Sequence, residues 1–571
     1  MVLEVLPVDA AHLLVAGAAA AVALAAVYAS DRPAGSWGRR LRSRLLLGVP
    51  WGTLVAAGFV IGVYLFVQSG LENPYRPVVI PFRAWSYFYP EGMLWAGFSH
   101  ASRGHVTGNL LSTLVAGTLA EYAYGHFPRE RGRRTFGSLR TNPYVRAFCV
   151  VPGAILAFGV VSSLFALGPV IGFSGVVFAL WGFALVHYPI GTIASLTAAT
   201  LVAVVYETIR TPVEIAEATP SFGPPGWANI AIQGHALGLI AGALVGVWLL
   251  RRRSVSTGRP SSMRSSALVV FVAVLLFGAS RRLWAVYWYL GNQRYELYRA
   301  LGLAGVLALA AIVAVAAAGR ERPLRPALAV PNPRTIRESA ASATPAAVGL
   351  FLLLAAFAAV AGPAVIPNLV AVDEAGLPGD PIEVEGYQVT YAEDVEDRTV
   401  SAIDVEAFGR STSVRTSGVI VANPDREIWT RAVSKGNLAF WGYRAVDVGG
   451  TGWRETVWVQ RTGWVAIGGT ATYRVDGVHD ETRSTLFVSD PARAEPVLDG
   501  RNVTVAAVEG GFELRVAHAG ENATASVPPR NESVTLQEVE FRHEAEAIYA
   551  VRGDSRVRVA ERERYEGRER S

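Results

Sequence analysis

The stretch AIQGHALGLIAGALVG, residues 231–246, sets Gly234, Gly238, Gly242 and Gly246 four residues apart in an otherwise apolar run. Positions four apart share one face of a helix. The repeat is therefore a smooth stripe on which a second helix can pack closely. Beside the stripe, about one turn inside the segment, stands His235. An ionisable side chain in an apolar helix is costly and marks a candidate for function. Two questions follow: which helix packs on the glycine face, and what His235 meets there.

The rest of the chain supplies the setting. Of 571 residues, 51% are hydrophobic and 17% charged, and the mean hydropathy is +0.31. That is too apolar for a soluble protein and points to an all-α polytopic membrane protein. Ten segments hold the roughly 20 predominantly apolar residues of a spanning helix: 11–29, 45–69, 104–125, 147–167, 172–190, 194–210, 230–250, 266–290, 299–318 and 344–369. Arg281 and Arg282 interrupt the eighth. Arginine clusters at 32–44, 129–146, 251–264 and 320–337 fall on alternate loops. Under the positive-inside rule those loops are cytoplasmic, and everything after residue 369 lies outside.

The two parts of the chain differ. Only 13 acidic residues precede residue 371, and beyond it the balance is acidic and the apolar runs are short. There IEVEGYQVTYAEDV, RETVWVQRTGWVAI and GFELRVAH alternate apolar and polar residues, which predicts strands and a β-sandwich-like extracytoplasmic domain over 371–560. Sequons at Asn502, Asn522 and Asn531 fit that side of the membrane. The run ERERYEGRER is expected to be a solvated, frayed tail over 561–571. The lone Cys149 excludes an intrachain disulfide.

LGPVIGFSGVVFAL, residues 167–180, is the natural partner for the glycine stripe. Ser174 lies between Gly172 and Gly175 near the outer end of its helix. Alone, it is a small residue suited to tight packing. It also departs from the soluble-hydrolase elbow, since Val176 stands where that motif has its last glycine. A third stretch, FSHASRGHVTGNLLSTLVAGTLAEYAYG (98–125), carries His105 and Asn109 on one face, with His100 just before them.

Together these residues read differently. A serine, a histidine and a second polar pair converge on one membrane depth, each near the outer end of a separate helix. Ser174 as nucleophile needs a base, and His235 supplies one, with Gly172 and Gly175 letting it come close. His105, Asn109 and the Ser174 N–H could receive the oxyanion of a tetrahedral intermediate. No aspartate stands between residues 32 and 372, and Glu121 lies sixteen residues beyond His105. That is about 24 Å along the helix. A Ser-His dyad remains, without a carboxylate partner.

As a set, HASRGHVTGN, GFSG and GHALGLIAG resemble the rhomboid family of intramembrane serine proteases. The resemblance covers about two-fifths of the chain and implies a six-helix core over 45–250. The remainder divides into an extra helix and basic loop over 1–44 and additional spans over 251–370, about four extra helices in all. It implies Ser174 as nucleophile, His235 as general base, His105 and Asn109 on the oxyanion side, and His100 behind them. Phe178 matches an often aromatic position that stacks on the catalytic histidine, and Gly238 and Gly242 match the helix-packing glycines. Glu121 matches a structural glutamate. The first outer loop departs from the family pattern, reading FRAWSYF with Arg83 before Trp85, and the long loop TPVEIAEATPSFGPPGW is a plausible substrate cap.

The resulting expectation is a multi-pass plasma-membrane endopeptidase that cleaves single-span substrates near the outer face of the lipid bilayer. No metal, cofactor or nucleic acid is expected to take part. Two alternatives stand beside it: an inactive rhomboid-like protein that holds membrane clients, and an envelope protein whose outer β domain carries the main function.

Overall fold

The computed structural model describes residues 36–128, 133–164, 168–210, 231–254, 267–281, 283, 286–290, 294–317, 372, 377–398 and 415–569, with a few positions of 14–25. Most of the expected segments 11–29 and 344–369 and the loop 211–227 lie outside the described residues. The chain divides into two compact units, the second being chiefly Leu369–Ser571.

The first unit is helical. Its long helices are α1 (Trp51–Gly62, running on as a wider turn through Val67), α2 (Arg103–Tyr124), α3 (Val151–Leu164, entered by a wider turn Arg146–Val150), α4 (Ser174–His187), α5 (Pro189–Arg210), α6 (Ile232–Ser254), α7 (Ala267–Ser280) and α8 (Arg299–Ala317). Ser102 caps α2 by accepting the His105 N–H at 3.2 Å, and Gly125 at φ 74° ends it. The buried core runs through Val176, Trp181 and Leu185 of α4 and Leu239, Ile240 and Ala243 of α6. Large apolar side chains also face outward, among them Phe59, Phe148, Ile190, Val245, Trp248 and Leu276. An apolar exterior over an apolar core suits lipid as the solvent.

Among the described residues one helix, Pro143–Leu164, is long and apolar enough by itself to cross a membrane, and the other apolar helices are shorter. α4, with 14 residues, is one of the shorter ones. At the helical rise it is about 21 Å long, against a hydrocarbon layer of about 30 Å. The segment 266–290, expected as a single span, is not one. Its helix stops at Ser280, and Val286–Leu290 pairs with Arg294–Tyr298 in a two-stranded sheet. The paired arginines end the apolar stripe, and VYWYL, rich in β-branched and aromatic residues, favours a strand.

α6 lies on α4 backbone to backbone. A Cβ on Gly242 would fall 1.9 Å from the Ala179 carbonyl oxygen, one on Gly238 2.3 Å from that of Gly175, and one on Gly182 2.1 Å from that of Leu239. Only hydrogen fits at these three points. The stripe is not uniform, however. Gly246 would make a tight contact of 3.2 Å to Val186, and Gly234 only an ordinary one of 3.7 Å to Ala231.

The other end of the bundle is tied by Glu121. Its carboxylate accepts the N–H groups of Gly52 and Thr53 at 2.8 Å each, the Thr53 hydroxyl at 2.7 Å, and pairs with His126 Nε2 at 2.6 Å. A carboxylate at the first turn of α1 satisfies donors that the helix cannot satisfy itself.

The second unit is β-rich. The three sequence stretches read as strands form strands, at Ile382–Val384 with Tyr387–Glu396, Trp453–Ala466 and Gly511–His518. Among the described residues it holds antiparallel sheets of eight, four and four strands. The start of the expected frayed tail, residues 561–563, is instead docked. Strand Ser555–Arg562 pairs with Trp453–Ala466, and Glu563 binds the buried Arg461 guanidinium through two bonds of 3.0 and 2.6 Å. A buried cation requires a counter-charge, and the tail supplies it.

Candidate active site

Ser174 is the first residue of α4, so its N–H has no acceptor within the helix. The chain enters through Gly172 at φ 130°, a conformation that side chains rarely adopt. The Gly172 N–H donates to the Ala96 carbonyl at 2.8 Å and fixes the approach. From α6, His235 brings Nε2 to 2.8 Å from Ser174 Oγ. The Phe178 ring, one turn along α4, lies flat on the imidazole, with centroids 4.2 Å apart and planes 8° from parallel. The stack holds the ring in the plane in which Nε2 meets the hydroxyl.

The polar pair of α2 faces the same loop. A Cβ on Gly172 would lie 2.9 Å from His105 Nε2 and 3.7 Å from Asn109 Nδ2. His105 meets His100 edge to face at 4.9 Å, and Asn109 Nδ2 lies 3.0 Å from His100 Nε2. Ser174, His235, His105, Asn109, His100 and Phe178 are thus gathered at one end of the bundle. A cavity of about 270 Å³ lined by Gly117, Glu121, Tyr124, Val151, Phe183 and Trp248 includes none of them.

Two glycines act differently from expectation. Gly172 makes room for the His105 ring, not for the base, because a Cβ there would sit 2.7 Å from His105 Cε1. Gly175 turns its missing side chain toward Ser162 of α3, at 3.1 Å. The close approach of α6 comes from Gly238, whose hydrogen faces the Gly175 carbonyl.

Sequence reasoning passed over Gln68. This fully buried amide accepts the His100 N–H at 2.7 Å and donates to the His100 carbonyl at 2.9 Å and to that of Val78 at 2.8 Å. The signal was a lone amide at the end of the run VYLFVQ, level with the outer histidines. Gln68→Leu would leave buried backbone groups without partners. It is expected to lower stability by about 1–3 kcal/mol, measured as thermal unfolding in detergent. Arg83 and Trp85 also have clear tasks: Arg83 Nη1 donates to the Pro169 carbonyl at 3.1 Å and Trp85 Nε1 to that of Ile80 at 2.6 Å. With the Ala84 N–H on the Val170 carbonyl at 3.0 Å, Arg83 braces the loop that leads to Ser174.

The Ser174 hydroxyl meets the His235 imidazole among packed helices with an apolar exterior, and that setting is the helical core of a membrane protein. Residues 88–252 match the family model described as the Rhomboid domain. Comparison with curated proteins and with solved structures finds no match.

Proposed function

We propose that the protein is an intramembrane serine endopeptidase that cuts transmembrane substrates near the outer membrane face. The observation that carries this reading is the 2.8 Å contact between His235 Nε2 and Ser174 Oγ. Nε2 takes the hydroxyl proton as Oγ attacks the substrate carbonyl carbon. Charge then develops on the carbonyl oxygen, and the Ser174 N–H with the His105 and Asn109 side chains receives it. The imidazolium gives its proton to the leaving amine, leaving an acyl-enzyme. Water, deprotonated by His235, attacks the ester and releases the second product. A helical substrate must unwind locally before its peptide bond is open to attack, so small and helix-breaking residues are favoured near the cut.

In this reading the arginine-rich loops are cytoplasmic, the chain is a multi-pass protein of the plasma membrane, and the β-rich unit, a sandwich-like domain, lies outside. Protease or thiol-tag accessibility of the C-terminal unit in intact cells checks the topology: accessibility is expected, and a protected tail would overturn it. A single-span reporter co-expressed with the protein tests the activity, with the cut site read by mass spectrometry. Cleavage in the outer half of the span is expected. A reporter that is captured but never cut would favour the client-holding alternative.

A further inference from the structure

α7 lies beyond the matched rhomboid domain, which ends at residue 252, yet it reaches the candidate active site. Val270, Ala273, Val274 and Phe277 are all buried at spacings of three, one and three, a single helix face turned to the core. The last of them, Phe277, is fully buried. Its ring meets Phe178 edge to face, with centroids 5.7 Å apart at 76°, and Trp181 at 6.0 Å. Phe178 therefore carries His235 on its face at 4.2 Å and Phe277 at 5.7 Å. Trp181 is itself fixed, its Nε1 donating to Ser112 Oγ of α2 at 2.9 Å. α7 is in turn held by α8, where a Cβ on Gly278 would fall 2.6 Å from Val306.

From this chain of contacts we infer that Phe277 of α7 is a positioning residue for His235, acting through Phe178. The inference rests on the endopeptidase reading. Phe178 must not slide or tilt if the imidazole is to keep Nε2 on Ser174. Edge-to-face packing against a ring anchored on another helix supplies a directional restraint that a mobile lipid chain cannot. Val270, on the same face two turns away and equally buried, shares the packing role without reaching the stack.

The test uses full-length protein in detergent or nanodiscs with a transmembrane reporter and a fluorophosphonate that labels an activated serine. Phe277→Ala and the milder Phe277→Leu, which keeps an apolar side chain, are compared with Val270→Ala. Phe277→Ala is expected to lower kcat and the labelling rate together by about tenfold or more at unchanged KM, since small misplacements of reacting groups cost rate. Phe277→Leu, which covers the case in which the alanine variant fails to fold, should lose several-fold in kcat. Phe277→Trp, which keeps an aromatic ring, should recover more than the leucine variant. Val270→Ala should lower the unfolding temperature while leaving kcat per labelled enzyme intact. Wild-type kcat in both Phe277→Ala and Phe277→Leu, or equal losses from Val270→Ala, would overturn the positioning role. A wild-type protein that neither labels nor cleaves would instead overturn the endopeptidase reading, and this inference with it.

Discussion

Ser174→Ala is expected to remove reporter cleavage and fluorophosphonate labelling together, by roughly 10³-fold or more. The replaced oxygen is the only atom of that side chain able to form the acyl ester, and His235 Nε2 lies 2.8 Å from it. His235→Ala should fall as far, because an unactivated hydroxyl is a poor nucleophile. The double variant should be no worse than either single one, since the two groups act as a unit. Unfolding temperatures near wild type are expected for Ser174→Ala, which deletes one hydroxyl. Cleavage that persists in either single variant would remove the dyad from the mechanism.

The second large effect is structural and separates two glycines of one repeat. Gly242→Ala is expected to destabilise the protein by about 1–3 kcal/mol or more, because overpacking a rigid contact forces backbone to move. The clashing atom is the Ala179 carbonyl oxygen at 1.9 Å, part of the α4 backbone, so no side chain can swing aside. Moving α6 outward also carries His235 away from Ser174, so cleavage should fall with stability. Gly234→Ala meets only an ordinary contact of 3.7 Å. It is expected to be neutral, or stabilising by up to about 1 kcal/mol through helix propensity. Thermal unfolding in detergent reads both variants. Equal tolerance at the two positions would mean that α6 does not lie directly on the α4 backbone.

Much of the site was legible because its chemistry is expensive. Histidines and an asparagine near the ends of apolar helices stand out against their surroundings, and the four-residue glycine repeat announces a close helix contact. With no aspartate between residues 32 and 372, the helical part offers no aspartate for a Ser-His-Asp arrangement. Strands of the β-rich unit were equally open, since stretches such as GFELRVAH alternate apolar and polar residues. Gln68 escaped because a single amide in an apolar run carries no periodicity. Its importance comes from His100, 32 residues away in the chain.

Sequence alone therefore determined the residue types, their order and their placement on helices, because those depend on local pattern and on the cost of polar groups in lipid. Tertiary structure decided which glycine makes room for which neighbour: Gly238 meets the Gly175 carbonyl and brings α6 close, while Gly172 admits His105. It also decided that the helix of 266–290 ends at Ser280 and is followed by a strand at Val286–Leu290, and that Phe277 from beyond the matched domain stands against Phe178. Those outcomes depend on contacts between residues distant in the chain, where distances of a few tenths of an ångström separate a fit from a clash.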